Sequence, residues 1–128
     1  MYCDQIKFNI ILKIKLKNIK RERRKKRNRA KILGTAEIPR LSVFRSNRYT
    51  SAQLIDDLAR KTLLSASTKE LKASGKNKTD QARLLGEMLG EKAQKAGIKK
   101  AVFNKGSYLY HGRVEAVADG ARGKGLEL

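Results

Sequence analysis

This sequence predicts an α/β (α+β) fold. The expected architecture is a mixed sheet of about four strands, an antiparallel meander plus a helix crossover, with two packed helices and a basic N-terminal extension. Three observations carry that expectation. Short apolar, strand-like runs follow one another between Leu41 and Ser67 with only brief polar breaks, the spacing of antiparallel neighbours. A helical apolar period from Ala82 to Ala96 leads at once into the strand-like IKKAVF, which implies a crossover back onto the sheet. Charge is also unevenly placed: residues 1–49 hold 16 basic and 3 acidic residues, net +13, whereas residues 50–128 hold 15 and 9, net +6, of a total of +19. The chain of 128 residues therefore divides into a leader (1–18), a basic extension (19–38) and one globular domain (39–128).

Taken in order, residues 6–16 alternate. Ile6, Phe8, Ile10, Leu12, Ile14 and Leu16 share one parity and Lys7, Asn9, Lys13 and Lys15 the other, with Ile11 the exception. Period two reads as a half-buried strand, or as a segment that takes shape only on a partner surface. From about Asn18 to Leu33 good helix formers dominate. Gly34 can end that helix, and Pro39 marks the domain entrance. Like charges four residues apart destabilise such a helix in water, so it is expected to order on binding.

Leu41, Val43 and Phe44 then open a first strand. A turn at Ser46–Asn47 leads into a second from Tyr49 to Ile55, Asp56–Asp57 turn the chain, and Thr62 to Ser67 form a third. Residues 69–78 are polar and read as a loop. Asp80 enters the first turn of an amphipathic helix that Gly97 stops. Ile98 to Phe103 is a short strand, residues 104–112 a loop, and Val114 to about Ala121 a final helix. Gly120 and Gly123 each weaken that helix by ~1 kcal/mol against alanine.

Several function classes lack their chemistry here. The single cysteine, Cys3, and single histidine, His111, make neither an intrachain disulfide nor a zinc site, which favours a reducing compartment, the cytoplasm. His111 has no orienting carboxylate or nucleophile nearby in sequence, the acids of residues 50–128 show no metal-binding spacing, and the C-terminal glycines follow a helix rather than open one. The chain is thus expected to be no enzyme, with no metal, cofactor or small-molecule substrate. No apolar stretch reaches the ~18–20 residues of a membrane span. An anionic membrane surface remains a competing partner for the alternating leader and its lysines.

The positive features point to RNA. Nine of the twelve residues from 20 to 31 are cationic: Lys20, Arg21, Arg23, Arg24, Lys25, Lys26, Arg27, Arg29 and Lys31, opposed only by Glu22. Such a cluster is stabilised by an external polyanion, and neutralising nucleic-acid phosphates releases counterions. Arg45, Ser46, Asn47, Arg48 and Tyr49 place guanidinium groups, small donors and an aromatic at one strand–turn–strand junction. Lys105, Ser107, Tyr108, Tyr110, His111 and Arg113, spaced by Gly106 and Gly112, repeat that recipe in the second loop. Arginine clamps phosphate bidentately and tyrosine stacks on unpaired bases. Tyr110 and His111 read as surface contacts; Tyr108 reads equally well as core.

On these same loops the chain resembles bacterial large-subunit ribosomal protein eighteen, the 5S ribosomal RNA-binding family. The matching stretches are GTAEIPRLSVFRSNR (34–48), AQLIDD (52–57), TLLSAS (62–67), AGIKKAVFNKGSYLYHGRV (96–114) and ADGARGKGLEL (118–128). The resemblance implies a structural ribosomal protein that binds 5S rRNA and helps attach it to 23S rRNA in the central protuberance, beside large-subunit ribosomal protein five. It implies RNA contact for the basic run, Arg40, Arg45 to Tyr49, and Lys105 through Arg113, including Ser107, Tyr110, His111 and Gly112. Six positions depart from the family pattern, two of them Gly120 and Gly123, which replace helix formers and suggest a floppier final helix. Asn104 sits where aspartate is usual, Lys105 where arginine is usual, Tyr49 where histidine is common, and Ser51 where an aromatic is usual. Residues 1–18 have no counterpart in the family and read as a lineage-specific extension or an upstream misreading of the start.

Overall fold

The computed structural model describes residues 2–71 and 77–128. A long helix α1 (Tyr2–Ala30) precedes three strands, β1 (Arg40–Arg45), β2 (Thr50–Asp56) and β3 (Lys61–Ser67). A 3-10 turn (Thr68–Glu70), helix α2 (Lys78–Lys95), strand β4 (Val102–Asn104) and helix α3 (Arg113–Gly123) complete the chain. The sheet order is β3-β2-β1-β4. β1 pairs antiparallel with β2 and β2 with β3, the expected meander, while β4 lies parallel to β1 after the α2 crossover. The middle of the loop expected at 69–78, residues 72–76, and the side chain of Cys3 lie outside the described residues.

Alternation along the strands sets the two faces of the sheet. Leu41 and Val43 of β1 and Ala52 and Leu54 of β2 turn inward and are buried. They meet Leu85 and Leu89 of α2 and Val114 and Val117 of α3, so both helices cover the same face. Arg40, Ser42 and Phe44 alternate onto the opposite face, where Phe44 stays 62% exposed. That uncovered face is where the site is built.

Local chemistry explains most boundaries. Ser46 N donates to Tyr49 O (2.8 Å) across the β1–β2 turn. Asp56 Oδ1 accepts from Leu58 N (3.0 Å) and Ala59 N (3.2 Å), the self-capping expected of aspartate there. Asn77 caps α2 by accepting from Asp80 N (2.8 Å), and Gly97 at φ +79° ends it.

The structure corrects four expectations. Residues 6–16 are helical rather than a half-buried strand, and every side chain from Asp4 to Arg27 is exposed. Among the described residues no strand lies alongside to satisfy an extended backbone, whereas a helix satisfies its own N–H and C=O groups, and no glycine or proline interrupts the segment. Second, Gly34 does not end the helix, which stops at Ala30. A Cβ on Gly34 would lie 2.4 Å from Ile55 O, so glycine is needed there for close approach to the sheet. Third, Ile98–Phe103 is not one strand. Residues 99–101 pair with the C-terminal segment instead, Ala101 N donating to Glu127 O (2.8 Å) and Glu127 N to Lys99 O (3.0 Å), and only Val102–Asn104 joins the sheet. Fourth, Gly120 is not a weak point: it is buried where α3 crosses α2, in contact with the backbone near Arg83.

Candidate nucleic-acid interface

In α1, Arg21, Lys25 and Arg29 recur every four residues and form one stripe, with Lys26 beside it. That stripe faces the uncovered side of β1. Together they bound a groove of about 740 Å³. One wall is Arg21, Glu22, Lys25, Lys26 and Arg29. The floor is Arg40, Ser42, Val43 and Phe44. The far wall is Arg45, Ser46 and Asn47 with Asn104, Gly106, Ser107, Tyr108 and Arg113. Seven cations and one acid line this space, so its potential is strongly positive and suits phosphates.

The root of α1 is fastened at two points. Asn28 Nδ2 donates to Gly106 O at 2.5 Å, tying the helix to the 104–112 loop. Asp57 gathers the second set: its Oδ1 accepts from Arg29 Nη2 (2.8 Å) and Arg40 Nη2 (3.2 Å), and its Oδ2 from Gly34 N (2.7 Å) and Arg40 Nε (3.1 Å). Burial pushes the Asp57 carboxyl up, but the Arg40 hydrogen bonds, the Gly34 N–H and the charges of Arg40 and Arg29 outweigh it, leaving the pKa below the ordinary 3.8. Asp57 thus neutralises much of Arg40, whose side chain is 12% exposed, while Arg29 keeps a 41% exposed side chain.

The two sequence-predicted loops are joined to each other. Arg113 Nη1 donates to Ser46 O (2.8 Å). The Tyr108 hydroxyl accepts from Arg45 N (3.2 Å) and donates to Arg45 O (3.3 Å), while the Arg45 guanidinium lies 5.0 Å from the Tyr108 ring centroid. Tyr108 is therefore a half-buried brace between β1 and the loop. Burial, then the neighbouring Arg45 charge, lowers the Arg113 pKa, with Tyr108 acting the other way; an arginine so placed stays charged. Asn104 is buried and its Oδ1 accepts from Gly106 N (3.0 Å), so the amide holds this turn through the same oxygen acceptor that aspartate would offer.

Other predicted residues lie elsewhere. Lys31, Lys105 and Tyr110 border a smaller hollow of about 260 Å³ with Asn28, Ile32 and Phe103. Tyr110 packs edge-on to Phe103 at 5.5 Å, its hydroxyl accepts from Arg122 Nη1 (2.9 Å), and it remains 39% exposed. Lys20, Arg23, Arg24 and Arg27 are exposed on other sides of α1, and Arg48, Tyr49 and His111 are exposed on the loops. Gly112, at φ +60°, is the N-cap of α3. Sequence reasoning missed Asn28, Asp57 and the outward Phe44. Only Phe44 left a signal, since its parity is opposite to that of Leu41 and Val43.

A sequence model of ribosomal L18 of archaea, bacteria, mitochondria and chloroplasts matches residues 15–128. The chain belongs to the ribosomal L18 family. Curated relatives agree. The large ribosomal subunit protein uL18 of Ligilactobacillus salivarius is 52% identical over 112 residues, 88% of this chain and 95% of the relative. That of Desulforudis audaxviator is 54% identical over 113 residues (84% and 92%), and that of Bacillus cereus 50% over 114 residues (88% and 95%). As an L18 family member the chain is a structural constituent of the large ribosomal subunit in the cytoplasm and not an enzyme.

Proposed function

We propose that the chain binds 5S rRNA and helps attach it to 23S rRNA in the central protuberance, next to large-subunit ribosomal protein five. The observation that carries this reading is the groove. Arm cations and both loops, far apart in sequence, line one positive space between a helix and an open sheet face. In this reading residues 19–38 supply affinity through phosphates, and the loops of the 39–128 body supply discrimination through unpaired bases and backbone shape. The resemblance in those loops makes 5S the RNA of choice.

Filter binding of the full chain to 5S rRNA, with transfer RNA and duplex DNA as competitors, tests it. 5S should win at near-physiological salt, and log affinity should fall with log salt by about 0.7–0.9 per phosphate neutralised. Equal competition by all three would reduce the chain to a charge-driven polyanion binder.

A further inference from the structure

We propose that Asp57 is a positioning residue for RNA binding: its carboxylate ties the root of α1 to the sheet, so the helix cations and the β1–β2 turn meet one stretch of phosphodiester backbone together. The inference rests on the RNA-binding reading above and goes beyond it, because Asp57 itself is acidic, largely buried and not a groove residue.

Four hydrogen bonds converge on the Asp57 carboxylate from three points of the chain: Arg29 at the end of α1, Gly34 in the connector and Arg40 at the start of β1. Asp57 N also donates to Gly34 O (3.0 Å), and Gly34 is pressed against Ile55 O. Arg29 Nη1 reaches back to Ile32 O at 2.5 Å, closing the path between helix and connector. Arg29 is the one member on α1 itself, and it also lines the groove. The carboxylate therefore links the wall that would touch RNA to the sheet that holds the opposite wall.

Without this link α1 is held, among the described residues, by the connecting segment 31–39 and the Asn28 hydrogen bond to the 104–112 loop. Its charges would sweep a larger volume, and each cation would have to be ordered as RNA arrives. Fixing groups beforehand in their bound arrangement removes that entropic cost. A neutral amide in place of Asp57 keeps the shape but loses the charge that holds two guanidinium groups.

The test uses the full chain with Cys3→Ser and spin labels at Asn18→Cys and Lys95→Cys, both exposed positions. Double electron–electron resonance without RNA should give one narrow distance with Asp57 present and a broad distribution for Asp57→Asn. An unchanged narrow distance overturns the proposal. In parallel, Asp57→Asn should weaken 5S binding about tenfold, roughly 1.4 kcal/mol, measured well below both melting transitions. On a chain carrying Arg21→Ala, Lys25→Ala and Lys26→Ala the same change should matter less than about twofold, because its effect runs through those cations. Equal losses in both backgrounds would make Asp57 a merely structural residue and overturn the proposal. If the triply substituted chain binds 5S as tightly as the parent, the groove reading fails instead, and the distance measurement alone judges the latch. Should Asp57→Asn prevent folding, Arg29→Gln, which leaves the Arg40–Asp57 pair intact, replaces it in the distance measurement, where the loss of a groove cation plays no part, and that measurement then decides.

Discussion

Gly120 of α3 and Arg83 of α2 lie backbone to backbone: a Cβ on Gly120 would stand 2.2 Å from the Arg83 carbonyl oxygen. Gly86 reciprocates, with a Cβ 2.2 Å from Val117 O, and one turn along Gly90 faces Ala121. Small residues on both helices bring the axes close, which pulls α3 and the loop before it down onto the sheet. By helix propensity alone, Gly120→Ala should stabilise the chain by ~1 kcal/mol. Overpacking of a fixed contact opposes this and costs about 1–3 kcal/mol. Urea denaturation should therefore show Gly120→Ala less stable than the parent by up to about 2 kcal/mol, whereas Gly123→Ala, with nothing within 4 Å of its Cβ, should be neutral or stabilising.

The helical arm offers cations on several sides, and the groove distinguishes them. Arg21, Lys25 and Lys26 line it, whereas Arg23, Arg24 and Arg27 do not. Replacing the first set with alanine should flatten the slope of log affinity for 5S against log salt by about two to three contacts' worth, at 0.7–0.9 per contact. The second set, equal in formal charge, should flatten it by less. Filter binding from low to moderate salt reads the difference, and identical slopes would mean that only total charge matters.

Asp57 also sets a pH response. Its pKa is lowered on folding, so the folded state holds its proton less tightly than the unfolded chain does. Its contribution to stability is then complete above the unfolded value, near 3.8, and is lost as pH falls below that toward the folded pKa. Thermal melts of the parent should be insensitive to this group from neutral pH to about 5 and decline below about 4. Asp57→Asn leaves the largely buried Arg40 unpaired, which should cost roughly 3 kcal/mol at neutral pH. The gap between variant and parent should narrow as both are taken to acid. A gap that widened in acid would mean that Asp57 is protonated more readily in the folded chain.

Much of this was legible in the sequence because the relevant signals were local. Asp56 announced its turn, Asp80 and Gly97 bracketed α2, and Leu41, Val43 and Phe44 marked β1 as a strand. The leader misled for a physical reason. Its period-two pattern would serve a strand, but a strand needs a neighbour that the fold does not provide, and in a helix the same residues scatter around the axis. The pairing of residues 99–101 with Glu127 was invisible because it joins short segments far apart with no alternation. Within the site, cations and tyrosines drew notice by composition, while Asn28 and Asp57 did not. Their roles depend on the carbonyl and guanidinium groups that the fold brings to them.

The two loops behave as one unit because Arg113 and Tyr108 both reach the end of β1. Arg113→Lys keeps the charge but loses the planar fork that holds Ser46 O at 2.8 Å. Tyr108→Phe keeps the ring under Arg45 but loses the hydroxyl that bridges Arg45 N and O. If the loops read RNA by shape, both changes should leave binding to an unrelated RNA within about twofold, since total charge is preserved. Binding to 5S should fall about threefold to tenfold, or ~0.7–1.4 kcal/mol, the range of one or two lost hydrogen bonds. Arg113→Ala, which also removes a cation, should weaken both RNAs but 5S more. Parallel titrations with 5S and transfer RNA decide it. A uniform loss across both RNAs for Arg113→Lys would assign the loops to phosphate attraction alone, and discrimination would then have to come from the arm.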